Sequence, residues 1–257
     1  MEIILDCETE DTTLASVSCV YEQSPTAISD FLISLPLDEH YCSNNLVEVE
    51  PYNLTFMRLF KEEFGNPIIH PNAAYWFHLT RVLPSENFSS GILPRNRILD
   101  KLWDTLFIIF SGTKYANRIK ELQRDILKDS DYRLKVTDSS DWGPFAMLVK
   151  EVAFKSSEIG NHDYLELPEF FELICVIYEE EYGESIRGLI VKALKPCIVK
   201  FVSRKGNILR YVDIAAYYLY CKLNNLELSL DTNTCFDGEC ANIHPQDIIK
   251  IEFINRL

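Results

Sequence analysis

Two hydrophobic periods alternate along this chain. Apolar residues recur every three to four positions in some stretches and every second position in others, the spacings of a buried helical face and of a half-buried strand. The opening MEIILDC reads as a short strand. Residues 24–35 read as a short helix opened by Ser24-Pro25, since proline lacks only an N–H that the first helical turn leaves unpaired anyway. Residues 46–49 form another strand candidate. In TFMRLFKEEFG, Phe56, Leu59, Phe60 and Phe64 lie at helical spacing and Gly65 is a natural stop. Residues 75–82, YWFHLTRV, read as an aromatic strand. RNRILDKLWDTLFIIFSG predicts a helix with Ile98, Leu102, Leu106, Ile109 and Phe110 inward, and the helix after it turns Tyr115, Ile119, Leu122 and Ile126 inward. DSSDWGPFAMLVKEVAF is a turn followed by a run that fits strand or helix. LPEFFELICVIYEEEYG is a helix between Pro168 and Gly183, CIVKFV a strand, and VDIAAYYLYCKLNN a helix. In the closing DIIKIEFI, Ile249, Ile251 and Phe253 alternate with Lys250 and Glu252, the pattern of a half-buried strand.

These elements make a mixed α+β protein. NPIIHPNAA, with Pro67 and Pro71, is a turn-rich connector, and charge changes near it. Residues 1–57 hold eleven Asp or Glu and no Lys or Arg, whereas residues 58–257 hold 28 acids and 25 bases. The chain is therefore expected to divide into an acidic N-terminal region or subdomain, 1–70, and a second domain, 71–257. The acidic region is either a solvated face or a surface for a basic partner or inhibitor. A formal net charge of -14 excludes a nucleic-acid binder that relies on bulk charge.

Eight cysteines are scattered without a Cys-x-x-Cys pair, which argues against zinc and thioredoxin-type chemistry and for free thiols in a reducing cytoplasm. Cys235, Cys240 and His244 lack a fourth ligand, so no metal is expected. No run of 18 apolar residues occurs and the acidic first residues lack the pattern of a secretory signal, so a cytoplasmic protein without a membrane partner is expected.

The chemistry-bearing stretch is YWFHLTRVLPSENFSSGILP, residues 75–94. In a strand, Tyr75, Phe77, Leu79 and Arg81 share one face and Trp76, His78, Thr80 and Val82 the other. An imidazole and a hydroxyl on one face can hold a ribose or a phosphate; equally, His78 can bond a backbone carbonyl.

His78-Leu79-Thr80, Asn87 and Gly91-Ile92-Leu93-Pro94 together resemble the first signature of ADP-ribosyltransferases of the diphtheria-toxin type and of the related RNA 2′-phosphotransferases. CANIHPQDIIKIEFI resembles the closing pattern of that superfamily, a turn leading into a last core strand. The resemblance implies an ADP-ribosyltransferase-like split β-sheet core with flanking helices, preceded here by the acidic N-terminal layer. It implies NAD+ as a substrate, with His78 on the adenine-side ribose, Thr80 beside it and Arg81 as a further contact. It implies a middle-strand aromatic stacked on nicotinamide, for which Phe145 or Trp142 stands where the family has Tyr. It implies a late carboxylate, Glu239 or Asp237, that stabilises the positive charge developing as nicotinamide leaves.

The expected activity is transfer of ADP-ribose to a macromolecular acceptor, protein, RNA or DNA, as a toxin or antiviral-defence effector would perform it. Two other readings stay open. One is RNA 2′-phosphotransfer, which needs converging arginines such as Arg81, Arg95 and Arg97. The other is a non-catalytic binding or regulatory module on a degenerate transferase fold.

Overall fold

The computed structural model describes residues 3–37, 51–137 and 143–255; the strand expected at 46–49 and Trp142 lie outside them. Among the described residues, six strands form one sheet: β1 (Ile4–Leu5), β2 (Ala73–Val82), β3 (Phe145–Met147), β4 (Lys195–Ser203), β5 (Cys235–Asp237) and β6 (Ile248–Phe253). The order is β5-β3-β2-β4-β6, with β1 paired parallel to the start of β2. β4 and β6 run antiparallel, and their register shifts between Lys200 and Phe201. That shift corrects the simple alternation expected of the last strand. Phe201 pairs with Ile248 and Lys200 with Lys250, so Ile249 is the extra residue of a bulge and is exposed.

The chain groups into two units, each made of separate segments: Met1–Trp76 with Met147–Asn161 and Val202–Cys235, and Phe77–Ala146 with His162–Phe201 and Phe236–Leu257. The acidic stretch belongs to the first unit together with two later segments, while residues 71–257 contribute to both.

In the first unit, helices Glu10–Tyr21, Pro25–Ser34, Tyr52–Phe64 and Ile208–Leu223 share an aromatic core. Tyr21 meets Phe60 edge-on at 5.1 Å, and Phe56 packs on Tyr217 and Tyr220, each at 5.3 Å between centroids. Such pairs contribute about 0.5–1.5 kcal/mol each beyond their buried area. Ser24 caps its helix and Gly65 ends the 52–64 helix, as the sequence predicts. Helix Glu10–Tyr21 is one the hydrophobic spacing does not announce. Thr9 and Thr12 form a reciprocal cap at its start, and its inward side carries Thr13 and Ser18 beside Val17, Val20 and Tyr21.

In the second unit, helices Arg95–Phe110, Ala116–Asp125, Glu169–Tyr182 and Arg187–Ala193 bury a second core. Leu106, Phe110, Ile119, Leu122 and Ile126 face inward as expected; Ile98, Leu102 and Ile109 are only partly covered. Trp103 takes the central place, because its indole N–H donates to the Tyr132 hydroxyl at 3.1 Å and its ring stands edge-on to Phe170. Among the described residues, no helix is long and apolar enough to cross a membrane.

Candidate functional site

β2 forms where aromatic and β-branched residues fill a ten-residue run without Gly or Pro. From Phe77 onward its alternation is the expected one, with Phe77, Leu79 and Arg81 buried and His78, Thr80 and Val82 partly open; before that, Trp76 on the His78 face is fully buried and Tyr75 is partly open. His78 Nδ1 lies 2.7 Å from the carbonyl oxygen of Phe145. A carbonyl can only accept, so Nδ1 carries the proton and donates. Removal from water holds the imidazole below its usual titration range, and the bond to Phe145 partly offsets that. In the neutral ring Nε2 is therefore a hydrogen-bond acceptor.

Phe145 begins β3, the neighbour of β2, and the residue is 37% exposed. One residue earlier, the Pro144 carbonyl accepts from Gly238 N–H at 2.9 Å. A side chain on Gly238 would run into the Pro144 ring, so this approach requires glycine. Gly238 follows β5, the neighbour of β3 on the far side from β2. Asp237 accepts from the Glu239 backbone N–H at 2.7 Å, and Ala241 N–H closes on the Gly238 carbonyl at 2.9 Å. The two residues inside that turn, Glu239 and Cys240, have φ of 49° and 67°. Positive φ at both central positions is the type I′ pattern, normally filled by Asn-Gly. Here two side-chain-bearing residues occupy it, at a cost of about 1–2 kcal/mol each.

The two motif-bearing segments also meet. Ile92 and Ile243 form an antiparallel bridge with both N–H···O distances at 3.0 Å. Arg97 reaches Asn242 at 3.2 Å. The bend between β2 and Gly91 is held by Glu86, whose carboxylate accepts from the backbone N–H groups of Asn87 and Phe88 and pairs with Lys101 at 2.6 Å. Sequence reasoning passed over Glu86; the available signal was a carboxylate one and two positions before donors that a polar bend leaves unpaired.

Comparison of the chain with protein-family models, with curated proteins and with solved structures finds no match in any of the three.

The arginine on this strand has another role than the one expected of it. Arg81 was expected on NAD+. It lies instead on the buried face, where Nη1 donates to the carbonyls of Leu165 and Glu166 and Nη2 to those of Val191 and Leu194, all within 2.8–3.0 Å. All four Nη hydrogens are used. Val191 and Leu194 lie at the end of helix Arg187–Ala193, whose last carbonyls lack intrahelical partners, so the guanidinium caps that helix. Arg95 is paired with Glu169 at 3.1 Å. Thus His78, Thr80, Phe145, Asp237 and Glu239 fall on three neighbouring strands and the turn that follows them, and Arg81 belongs to the scaffold. Tyr217, Tyr218 and Tyr220 are core residues of the first unit, with the Tyr218 hydroxyl on Glu151. Among the described residues, no group of three His, Cys, Asp or Glu is arranged to hold a metal ion.

Proposed function

We propose that the protein binds NAD+ on the His78 face of this sheet and is an ADP-ribosyltransferase with a split-sheet core of that superfamily's kind. The observation that carries the reading is the neighbour order β2-β3-β5. It brings His78, Phe145 and the Asp237–Glu239 turn, 161 positions apart at their extremes, onto three successive strands.

The chemistry follows from the groups. His78 Nε2 and the Thr80 hydroxyl hold a ribose, and Phe145 offers a ring face for nicotinamide. Phe145 keeps the stacking surface of a tyrosine and lacks its hydroxyl. As the glycosidic C–N bond breaks, nicotinamide leaves with the bonding pair and the ribose carbon becomes oxocarbenium-like. The Glu239 carboxylate stabilises that positive charge. A nucleophile on the acceptor attacks the same carbon and releases its proton; with water in its place the product is free ADP-ribose. The RNA 2′-phosphotransfer reading has less support, because Arg81 is committed to four carbonyls and Arg95 to Glu169, which leaves Arg97 of the three arginines named for it.

The test is to incubate the protein with NAD+ labelled in the adenine ring and with cell RNA, DNA or protein separately. The reading expects label to become covalently attached to one of these fractions, in a manner lost in Glu239→Gln. Attachment to none of them, with no consumption of NAD+, would refute it.

A further inference from the structure

β6 closes one edge of the sheet, and among the described residues β4 is its one strand neighbour. The ladder with β4 decides which backbone groups β6 leaves to that edge. Ile254 N–H donates to the Pro196 carbonyl at 2.9 Å. Bonded pairs in an antiparallel ladder fall on every second residue, so Glu252 opposite Ile198 and Lys250 opposite Lys200 turn their N–H and C=O groups toward β4. Ile251 and Phe253 turn theirs to the open side. The bulge at Ile249 comes before this run and leaves residues 250–253 regular.

An open edge is a template for another strand, and a lysine on it commonly turns strangers away. Lys250 alone would do that. With Glu252 two residues on, the side chains instead match one strand in particular, β6 itself turned round. Set two copies antiparallel about a two-fold axis through Ile251, and Lys250 of each stands opposite Glu252 of the other, with Ile249 opposite Phe253. A two-fold through Lys250 or Glu252 sets like charge on like. The backbone agrees with the charges. Ile251, whose N–H and C=O face outward, falls on a bonded pair, and Lys250 and Glu252 fall on the non-bonded pairs, where facing side chains lie closest. Within one copy Lys250 and Glu252 are 3.0 Å apart, so the pairing makes a square of four alternating charges. It also covers Ile249, which is 51% exposed in the single copy.

We propose that β6 is an interface for a second copy of this chain, edge to edge and antiparallel, with Lys250 and Glu252 fixing the register. The pairing does not depend on the NAD+ reading. Residues 249–253 of each copy make an interface below the size of stable dimers, so the association is weak and reversible. The net charge of -14 on each copy opposes it at long range, but salt screens that repulsion beyond about 8 Å, and β6 itself carries one Lys and one Glu.

Sedimentation equilibrium over about 1–500 μM tests it, the range in which small interfaces associate. The wild-type protein should be monomeric at the low end and move toward a dimer at the high end. Lys250→Glu and Glu252→Lys should each weaken that dimer by about tenfold or more, because two attractive cross-strand pairs become two repulsive ones. An equimolar mixture of the two variants should associate again, since each carries the charge that the other lacks. The doubly exchanged protein, Lys250→Glu with Glu252→Lys, should dimerise like wild type. Both side chains reach solvent, so every variant should keep the wild-type unfolding midpoint. Wild-type protein that stays monomeric at the highest concentration, or a dimer equally strong in both single variants, would overturn the proposal. So would weakening in the single variants without recovery in their mixture, which would assign the loss to each chain's own fold.

Discussion

The α-carbon of Gly91 lies against the carbonyl oxygen of Ile243, so close that a single added methyl would overlap it. Gly91 also has a φ of 76°, a conformation that costs any other L-residue about 1 kcal/mol. This contact fastens the end of the bend after β2 to the segment leading into β6, so the two stretches that suggested a common site are physically joined. Gly91→Ala is expected to destabilise the protein by about 2–4 kcal/mol through strain and overpacking together. Gly112 has a similar φ, 71°, with open space around it, and Gly112→Ala should cost only about 1 kcal/mol. Urea unfolding of the two variants measures the difference. Equal costs would show that the close approach to Ile243 is not maintained in solution.

Arg81 separates scaffold from site. Lysine has one compact ammonium in place of a planar fork and cannot meet four carbonyls. Arg81→Lys should lower stability by about 3 kcal/mol, since buried carbonyls lose charge-assisted bonds. NAD+ affinity of the folded protein should stay within about twofold of wild type. A large fall in affinity without a fall in unfolding temperature would return Arg81 to the ligand.

Glu86 gives the bend a defined pH dependence. Burial alone would raise its carboxyl, but Lys101 and the Phe88 and Asn87 amides outweigh burial and hold it below its ordinary value of 4.5. A depressed carboxylate contributes stability that is full above its unfolded value and lost as pH falls through the folded one. Glu86→Gln should therefore destabilise the protein at pH 7, by about 1 kcal/mol given the half-exposed Lys101, and the gap should narrow as pH falls through the range below 4.5. Thermal unfolding of both proteins across that range checks it; a gap that persists undiminished at pH 3 would contradict it.

On the proposed reading, the turn after β5 sets stability against activity. Glycine at either central position removes the strain of a left-handed residue, so Cys240→Gly and Glu239→Gly should each stabilise the protein by about 1 kcal/mol. Only Glu239→Gly should abolish nicotinamide release. Asp237→Asn keeps an oxygen for the Glu239 N–H and should retain most activity, whereas Asp237→Ala loses that bond and should lose both order in the turn and turnover. Loss of turnover in a folded Asp237→Asn protein would assign the reacting carboxylate to Asp237 instead.

Much of this arrangement is written locally in the sequence, and what is not has a physical reason. β2, the Gly91 stop and the helices around Leu106, Ile174 and Leu219 are legible because each repeats its own hydrophobic period between clear stops. Helix Glu10–Tyr21 hides because Thr13 and Ser18, polar by type, sit on its buried side. Strand alternation put Arg81 opposite His78, but its carbonyl partners lie 84 to 113 positions away, and no local pattern announces them. The same holds for the site. His78, Phe145 and Glu239 can be nominated one by one, yet their adjacency depends on strand order, which tertiary packing decides. The bulge at Ile249 turned an expected core residue outward for a similar reason, since register is a property of two strands at once.

The central claim is that the turn at Glu239 and the face of His78 act together on the glycosidic bond of NAD+. Its most direct test is the rate of free nicotinamide formation from NAD+ by the wild-type protein, His78→Asn and Glu239→Gln, with each protein shown to be folded. The account predicts release by the wild-type protein, weaker apparent affinity in His78→Asn, and a turnover in Glu239→Gln lower by a factor of about 100 or more. Release that is the same in all three, or absent from the wild-type protein with and without cell extract, would contradict it.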